Sequence, residues 1–288
     1  MNQNLKLRVL TAVVGVPLIL SLLVFLGVEG VAFFAYVISM GMLFEYCRMF
    51  FSLEDANRKT AIALIVASFI HAFNYVLTTG LSTALLGLAP VFGFFVLFLF
   101  MVPRLLNYGG SAALNSDKGI ETLRKHVQEL MALCFGMVYC VWFPLLMVSV
   151  REQSSGKFWV LFALIVVWSN DTFAYFIGKI LGKHPLYETV SPKKTIEGAI
   201  GGVLGALVLG TLFAKVYLPA VPNAMLCVII LTVSVASILG DLVESLLKRA
   251  SNKKDSGSLL PGHGGFLDRF DGVTFAIPAL YAMLWILG

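Results

Sequence analysis

Residues 159–183 read WVLFALIVVWSNDTFAYFIGKILGK. The apolar residues run without the alternation of a half-buried strand, and the run is too long for one. At 1.5 Å per residue, about 20 apolar residues in a helix cross a hydrocarbon layer of roughly 30 Å. Asn170 and Asp171 stand in mid-run. An ionisable group at the centre of a spanning helix costs roughly 2.5–3.5 kcal/mol on insertion scales, so Asp171 reads as a functional candidate. The competing reading is a structural hydrogen bond to a neighbouring helix.

The rest of the chain follows the same pattern. Its 288 residues are 59% hydrophobic and only 13% charged, half the charge of a soluble domain. In lipid only helices or closed barrels satisfy the backbone, and continuous apolar runs select helices. The fold class expected is an all-α polytopic membrane protein with about nine spans, near 9–26, 30–47, 61–78, 84–102, 127–149, 158–181, 197–217, 223–247 and 271–287. The first run resembles a signal peptide but lacks an A-x-A cleavage site, so it counts as the first helix. With the N-terminus cytoplasmic and the C-terminus on the opposite, periplasmic face, all of the 21 Lys and Arg except Arg151, Lys157 and Lys215 fall inside. That asymmetry explains the net charge of +5 without nucleic acid. Cys47, Cys134, Cys140 and Cys227 lie in apolar segments without ligand spacing and read as small apolar fillers.

The first half, 1–126, is expected to hold four spans and a cytoplasmic loop, and is chemically quiet. Glu45 is its exception, read as an interfacial residue paired with Arg48. His71 and Asn74 read as helix-packing polars, and 103–126 as a solvated surface segment. The second half, 127–288, is expected to be a catalytic membrane domain of five spans with its site facing the cytoplasm.

After the opening stretch comes HPLYETVSPKKTIEGAIGG, residues 184–202. Pro185 and Pro192 break helical continuation, and Thr195 suits an N-cap, where helix N–H groups favour anions. Lys193 and Lys194 at that helix start make a plausible triphosphate grip, against the plainer reading of positive-inside anchors. Two overlapping GxxxG spacings, Gly198/Gly202 and Gly201/Gly205, mark a close helix-packing face. The segment Gly178–Lys183 misses the P-loop spacing.

The densest chemistry lies between the last two spans. Asp241, Glu244, Ser245 and Lys248 share one helix face at i, i+3, i+4 and i+7. An intrahelical Glu244–Lys248 pair would explain part of it and leave Asp241 unexplained. Residues 245–271 read SLLKRASNKKDSGSLLPGHGGFLDRFD. They bring Lys248, Arg249, Lys254 and Arg269 beside Asp268 and Asp271. Gly264 and Gly265 flank His263 on one side and permit positive φ and close backbone approach. Hard oxygen donors, basic residues and a glycine turn, with no thiolates, suit Mg²⁺ and phosphates.

This pattern resembles the signature of the phosphatidate cytidylyltransferase family: Ser245-x-Leu247-Lys248-Arg249-x4-Lys254-Asp255, then Gly257, Leu260-Pro261-x-His263-Gly264-Gly265-Phe266-x-Asp268-Arg269-Phe270-Asp271. Asn170-Asp171-Thr172-x-Ala174-Tyr175 and Ser191-Pro192-Lys193-Lys194-Thr195-x-Glu197-Gly198 extend the likeness, which covers roughly 165–288. The resemblance implies CTP and phosphatidic acid as substrates, CDP-diacylglycerol and pyrophosphate as products, and Mg²⁺ as cofactor, with a second, monovalent cation left open. It implies a homodimer in a bacterial inner membrane. The metal-binding aspartates would fall on Asp241 and Asp268. Lys248, His263 and Asp271 complete the expected catalytic set. Asp171, Lys193, Lys194, Glu197, Lys248, Arg249, Lys254, Gly264, Gly265 and Arg269 would face substrate phosphates.

Two rival functions carry weaker signals. An ion-coupled transporter would use Asp171 and Asp241 as a cation path, but would carry internal repeats and mid-membrane charges; no repeat is present and the acids cluster toward one side. A CDP-alcohol phosphotransferase would carry D-G-x2-A-R…G-x3-D-x3-D, which is absent.

Overall fold

A computed structural model describes residues 3–51, 53–80, 117–260, 262 and 264–287. The expected span 84–102 and His263 lie outside the described residues. The elements are α1 (Gln3–Phe25), α2 (Gly27–Phe50), α3 (Leu53–Gly80), α4 (Asp117–Met137), a π-helical turn (Val138–Trp142), α5 (Phe143–Glu152), α6 (Gly156–Leu181), β1 (Pro185–Tyr187), β2 (Ser191–Thr195), α7 (Ile196–Tyr217), α8 (Asn223–Ala250) and α9 (Leu267–Leu287). Seven helices among the described residues are long and apolar enough to cross a membrane, and Val13–Phe25 is a shorter apolar helix. The all-α polytopic class follows. The π turn precedes Pro144, whose ring clashes with the carbonyl four residues back; widening the helix at 138–142 accommodates it.

Two compact units divide the chain, one of residues 39–142 and one of residues 1–38 with 143–288. The sequence division at 126/127 follows chemistry, whereas this division follows packing. Within the first unit, Lys59 Nζ meets Glu129 Oε2 at 2.9 Å and the Tyr46 hydroxyl donates to the Ala132 carbonyl at 2.8 Å. His71 and Asn74 are both buried there, as packing polars would be, and so is Glu45. The polar segment expected at 103–126 is helical from Asp117 onward.

In the other unit the central contact is α6 against α7. A Cβ on Gly202 would lie 2.6 Å from the Asn170 carbonyl oxygen and 2.8 Å from Asn170 Oδ1. One on Gly198 would lie 2.8 Å from the Ala174 carbonyl oxygen, and Gly201 and Gly205 press on Ile177 and Phe173. The paired GxxxG spacings thus build the close face the sequence predicts, with α6 as partner. A second seam joins α8 to α9: Gly240 sits against the Asp271 carbonyl and Phe275, and Gly272 against Ser237.

The sequence reads 184–197 as a proline-broken loop; it folds as an antiparallel hairpin with Pro185 opposite Thr195 and Tyr187 opposite Ser191. Helix α6 ends at Leu181, where Gly182 turns to extended backbone (φ −62, ψ 122), and Pro185 keeps the helix from resuming. Helix α7 starts at Thr195, whose side chain accepts from the Gly198 N–H at 3.1 Å.

Candidate active site

Helix α8 ends in a Schellman turn. Asn252 takes the left-handed conformation (φ 54), its N–H bonds the Arg249 carbonyl, and the Lys253 N–H bonds the Lys248 carbonyl at 2.8 Å. This reversal sends 253–260 back across the helix end, and a two-bond bridge between Leu260 and Gly264 (φ 87) closes the loop ahead of α9. The result delivers Ser256 and Gly265 to Asp268, in the first turn of α9. Asp268 Oδ2 accepts from Ser256 Oγ at 2.9 Å, from the Ser256 N–H at 3.2 Å and from the Gly265 N–H at 3.2 Å.

Asp268 Oδ1 receives Lys248 Nζ at 2.8 Å, and the same ammonium meets Glu244 Oε2 at 2.7 Å. The intrahelical Glu244–Lys248 pair is therefore present, as one arm of a bridge from α8 to α9. Across the glycine seam Asp241, Glu244 and Asp271 converge, with one oxygen from each within 4.8 Å of the others. Glu244 is 1% exposed, and among the described residues its Oε1 has no hydrogen-bond partner. At an effective dielectric of about 20, two carboxylates some 5 Å apart repel by roughly 3 kcal/mol. Lys194 offsets part of this by pairing with Asp241 Oδ2. A buried carboxylate oxygen without a donor, among three converging hard ligands, fits a bound Mg²⁺-type cation.

Next to this cluster opens a cavity of about 590 Å³, lined among others by Asn170, Asp171, Lys179, Lys193, Lys194 and Asp241. The hairpin supplies both central lysines, and α8 supplies the carboxylate. The α6–α7 seam holds Asp171 opposite them. The cavity is therefore lined by lysines from the hairpin and α6 and by the carboxylates of Asp171 and Asp241, a mixture suited to polyanions and a metal ion.

The remaining expected site residues are distributed as follows. Asp271 sits in the carboxylate cluster, with Oδ1 accepting from the Gly272 N–H at 2.8 Å. Asp268 is joined to the cluster through Lys248. Gly265 gives its N–H to Asp268, and Gly264 provides the positive-φ turn. The Arg249 side chain donates to the carbonyls of Val190 at 3.4 Å and Lys253 at 3.3 Å, joining the hairpin turn to the 253–256 loop. Lys254 and Arg269 are exposed. Glu197 is engaged by His184 and by two backbone N–H groups at the foot of the hairpin. Glu244 is the carboxylate that the site reading left out; its spacing placed it on the right face, but only α9 turns it into part of a cluster. Ser256 had no signal beyond its place in a polar loop.

The sequence profile of a family described as the cytidylyltransferase family matches residues 6–287. The chain belongs to the cytidylyltransferase family. It is 51% identical over 129 residues to a phosphatidate cytidylyltransferase of Bacillus subtilis (strain 168), covering 45% of this chain and 48% of that one. It is 43% identical over 134 residues to one of Staphylococcus saprophyticus, covering 46% and 52%. A third, from Staphylococcus aureus (strain COL), is 44% identical over 135 residues, again covering 46% and 52%. The chain thus spans about half the length of the curated relatives it matches.

Proposed function

We propose that this protein transfers the cytidylyl group of CTP to phosphatidic acid, giving CDP-diacylglycerol and pyrophosphate. The observation that carries the reading is one cavity in which Lys193 and Lys194 of the hairpin meet Asp241 of the carboxylate cluster. Family membership and the names of the relatives support it.

The chemistry needs positioning and charge neutralisation more than it needs a base. The second pKa of a phosphate monoester is about 6, so the lipid phosphate is largely dianionic at neutral pH and already nucleophilic. One of its oxygens attacks the α-phosphorus of CTP, the bond to the β-phosphate oxygen breaks, and pyrophosphate departs with that electron pair. No proton has to move. Lys193 and Lys194 hold the triphosphate and offset the charge that develops on the leaving group. Asp241, Glu244 and Asp271 hold a divalent cation, Mg²⁺ being the hard ion suited to oxygen ligands and phosphates. When bound, that ion supplies electrophilic polarisation of the phosphates and lowers the repulsion between two polyanions. Lys248 bridges Glu244 and Asp268 and orients both, and the Ser256–Gly265 cradle holds Asp268 on the other side of that bridge. Asp171 faces the same cavity.

The lipid's acyl chains stay in the bilayer while its headgroup enters the cavity, which is why nucleotidyl transfer is built on spanning helices. The reading places the protein in a bacterial inner membrane, N-terminus inside, with the site facing cytoplasmic CTP, and as a homodimer. The test is purified protein in detergent micelles with radiolabelled CTP, phosphatidic acid and Mg²⁺. Labelled CDP-lipid is expected from the native protein, with at least a hundredfold loss in Asp241→Asn. No product with any divalent ion, or full activity in Asp241→Asn, would overturn the reading.

A further inference from the structure

Glu197 was expected among residues that face substrate phosphates, but a carboxylate has the wrong sign for that task, and its oxygens are already taken. Its Oε2 accepts from the N–H of Lys183 at 3.1 Å and from the N–H of His184 at 3.2 Å. Its Oε1 meets His184 Nδ1 at 2.5 Å. Lys183 and His184 are the residues on which the chain leaves α6, and Glu197 is the second residue of α7. A backbone bond from the Ile196 N–H to the His184 carbonyl, at 2.9 Å, also closes the hairpin's foot.

We propose that Glu197 is a positioning residue for the reaction: its carboxylate clasps the foot of the β1–β2 hairpin and so fixes Lys193 and Lys194 over the cavity. This rests on the cytidylyl-transfer reading for what the lysines do, though the clasp itself does not depend on it. A lone two-stranded hairpin is marginal in water, and this one is only three and five residues in its strands. Its lysines therefore depend on what holds its ends. Glu197 supplies three charge-assisted bonds at the point where 183–184 and 196–197 come together, and its place in the first turn of α7 suits the helix dipole. From that foot the second strand runs directly through Lys193 and Lys194, and Thr195 caps α7 on the same strand. Residues Ser191, Lys193, Lys194 and Thr195 all line the cavity. Loosening the foot moves Lys193 and Lys194, while the carboxylates on α8 and α9 stay in place.

Glutamine separates this role from direct contact with substrate or metal. Its single oxygen can accept both backbone N–H groups, and its amide can donate to a neutral imidazole, but it carries no charge. Glu197→Ala removes every arm. In the full-length protein, Glu197→Ala is expected to raise KM for CTP roughly tenfold with kcat changed less than about threefold, while Glu197→Gln stays within about twofold of native on both. Amide hydrogen exchange at Lys183 and His184 is expected to speed up at least tenfold in Glu197→Ala and to be unchanged in Glu197→Gln. Glu197→Gln impaired as badly as Glu197→Ala, with its amides still protected, would overturn the proposal in favour of contact through charge. Native exchange in Glu197→Ala would overturn the clasp outright. If the native protein made no CDP-lipid, the transfer reading would fall alone, because the exchange experiment reads the clasp without turnover.

Discussion

Replacing Gly202 by alanine tests the seam that sets Asp171 opposite the hairpin lysines. The added Cβ would lie 2.6 Å from the Asn170 carbonyl oxygen, 2.8 Å from Asn170 Oδ1 and 3.0 Å from Ala174 Cβ. The first of these is backbone in the middle of α6, where no rotamer change can relieve it. Ordinary carbon–oxygen contact needs roughly 3.4 Å, so α6 and α7 must part by about 0.5–1 Å or shear. Overpacking of this kind costs about 1–3 kcal/mol. Intrinsic helix propensity works the other way, favouring alanine over glycine by up to about 1 kcal/mol. A net loss of about 0–2 kcal/mol against the native protein remains, which at roughly 2–4 °C per kcal/mol lowers the unfolding midpoint by up to about 8 °C, whereas Gly15→Ala keeps the propensity gain without the overpacking. The assay is thermal unfolding in a fixed detergent, with initial rates of CDP-lipid formation on the same preparations. Gly15→Ala is the control, since among the described residues nothing beyond its own stretch of helix lies within 4 Å of its added Cβ. The rate in Gly202→Ala is expected to fall at least tenfold, because misplacement by even 1 Å costs a reaction that depends on positioning about a hundredfold. A midpoint and rate matching those of Gly15→Ala would refute the reasoning.

Three other outcomes follow from the same geometry. Lys248→Met should destabilise the protein by about 3–5 kcal/mol, since it strands Glu244, which is 1% exposed; pairing it with Glu244→Gln should recover much of that in a double-mutant cycle on unfolding midpoints. Lys194→Ala should raise the CTP concentration needed for half-maximal rate, on the order of tenfold, with the phosphatidate requirement nearly unchanged; steady-state kinetics with each substrate varied decides it. Thr195→Val should lower the unfolding midpoint by the equivalent of about 1 kcal/mol, the usual loss for an N-cap, and circular dichroism melts read it directly.

The spanning helices were legible because lipid tolerates no unpaired backbone, so each crossing leaves a long apolar run in the sequence. The α6–α7 seam was legible because close helix approach demands small residues at four-residue spacing, and Gly198, Gly201, Gly202 and Gly205 supply them. The Thr195 cap was equally local. What stayed hidden depended on distant parts of the chain. The hairpin at 185–195 shows no alternation, and it is held by Glu197 reaching back to 183–184. Asp241 and Asp271 meet because Gly240 and Gly272 let α8 and α9 approach, and neither glycine belongs to a repeated spacing. Glu244 looked like half of a surface ion pair until the turn at Asn252 returned the chain and added Asp268 to the other side of Lys248.

The central claim is that the lipid phosphate attacks the α-phosphorus of CTP directly in the cavity between the hairpin and the carboxylates. Phosphatidic acid labelled with oxygen-18 in its phosphate oxygens, turned over with unlabelled CTP and Mg²⁺, tests it by mass spectrometry of both products. The account predicts that every labelled oxygen stays in the CDP-lipid, one of them bridging the two phosphorus atoms, and that pyrophosphate is unlabelled. Label in the pyrophosphate, or loss of label from the lipid product, would contradict it.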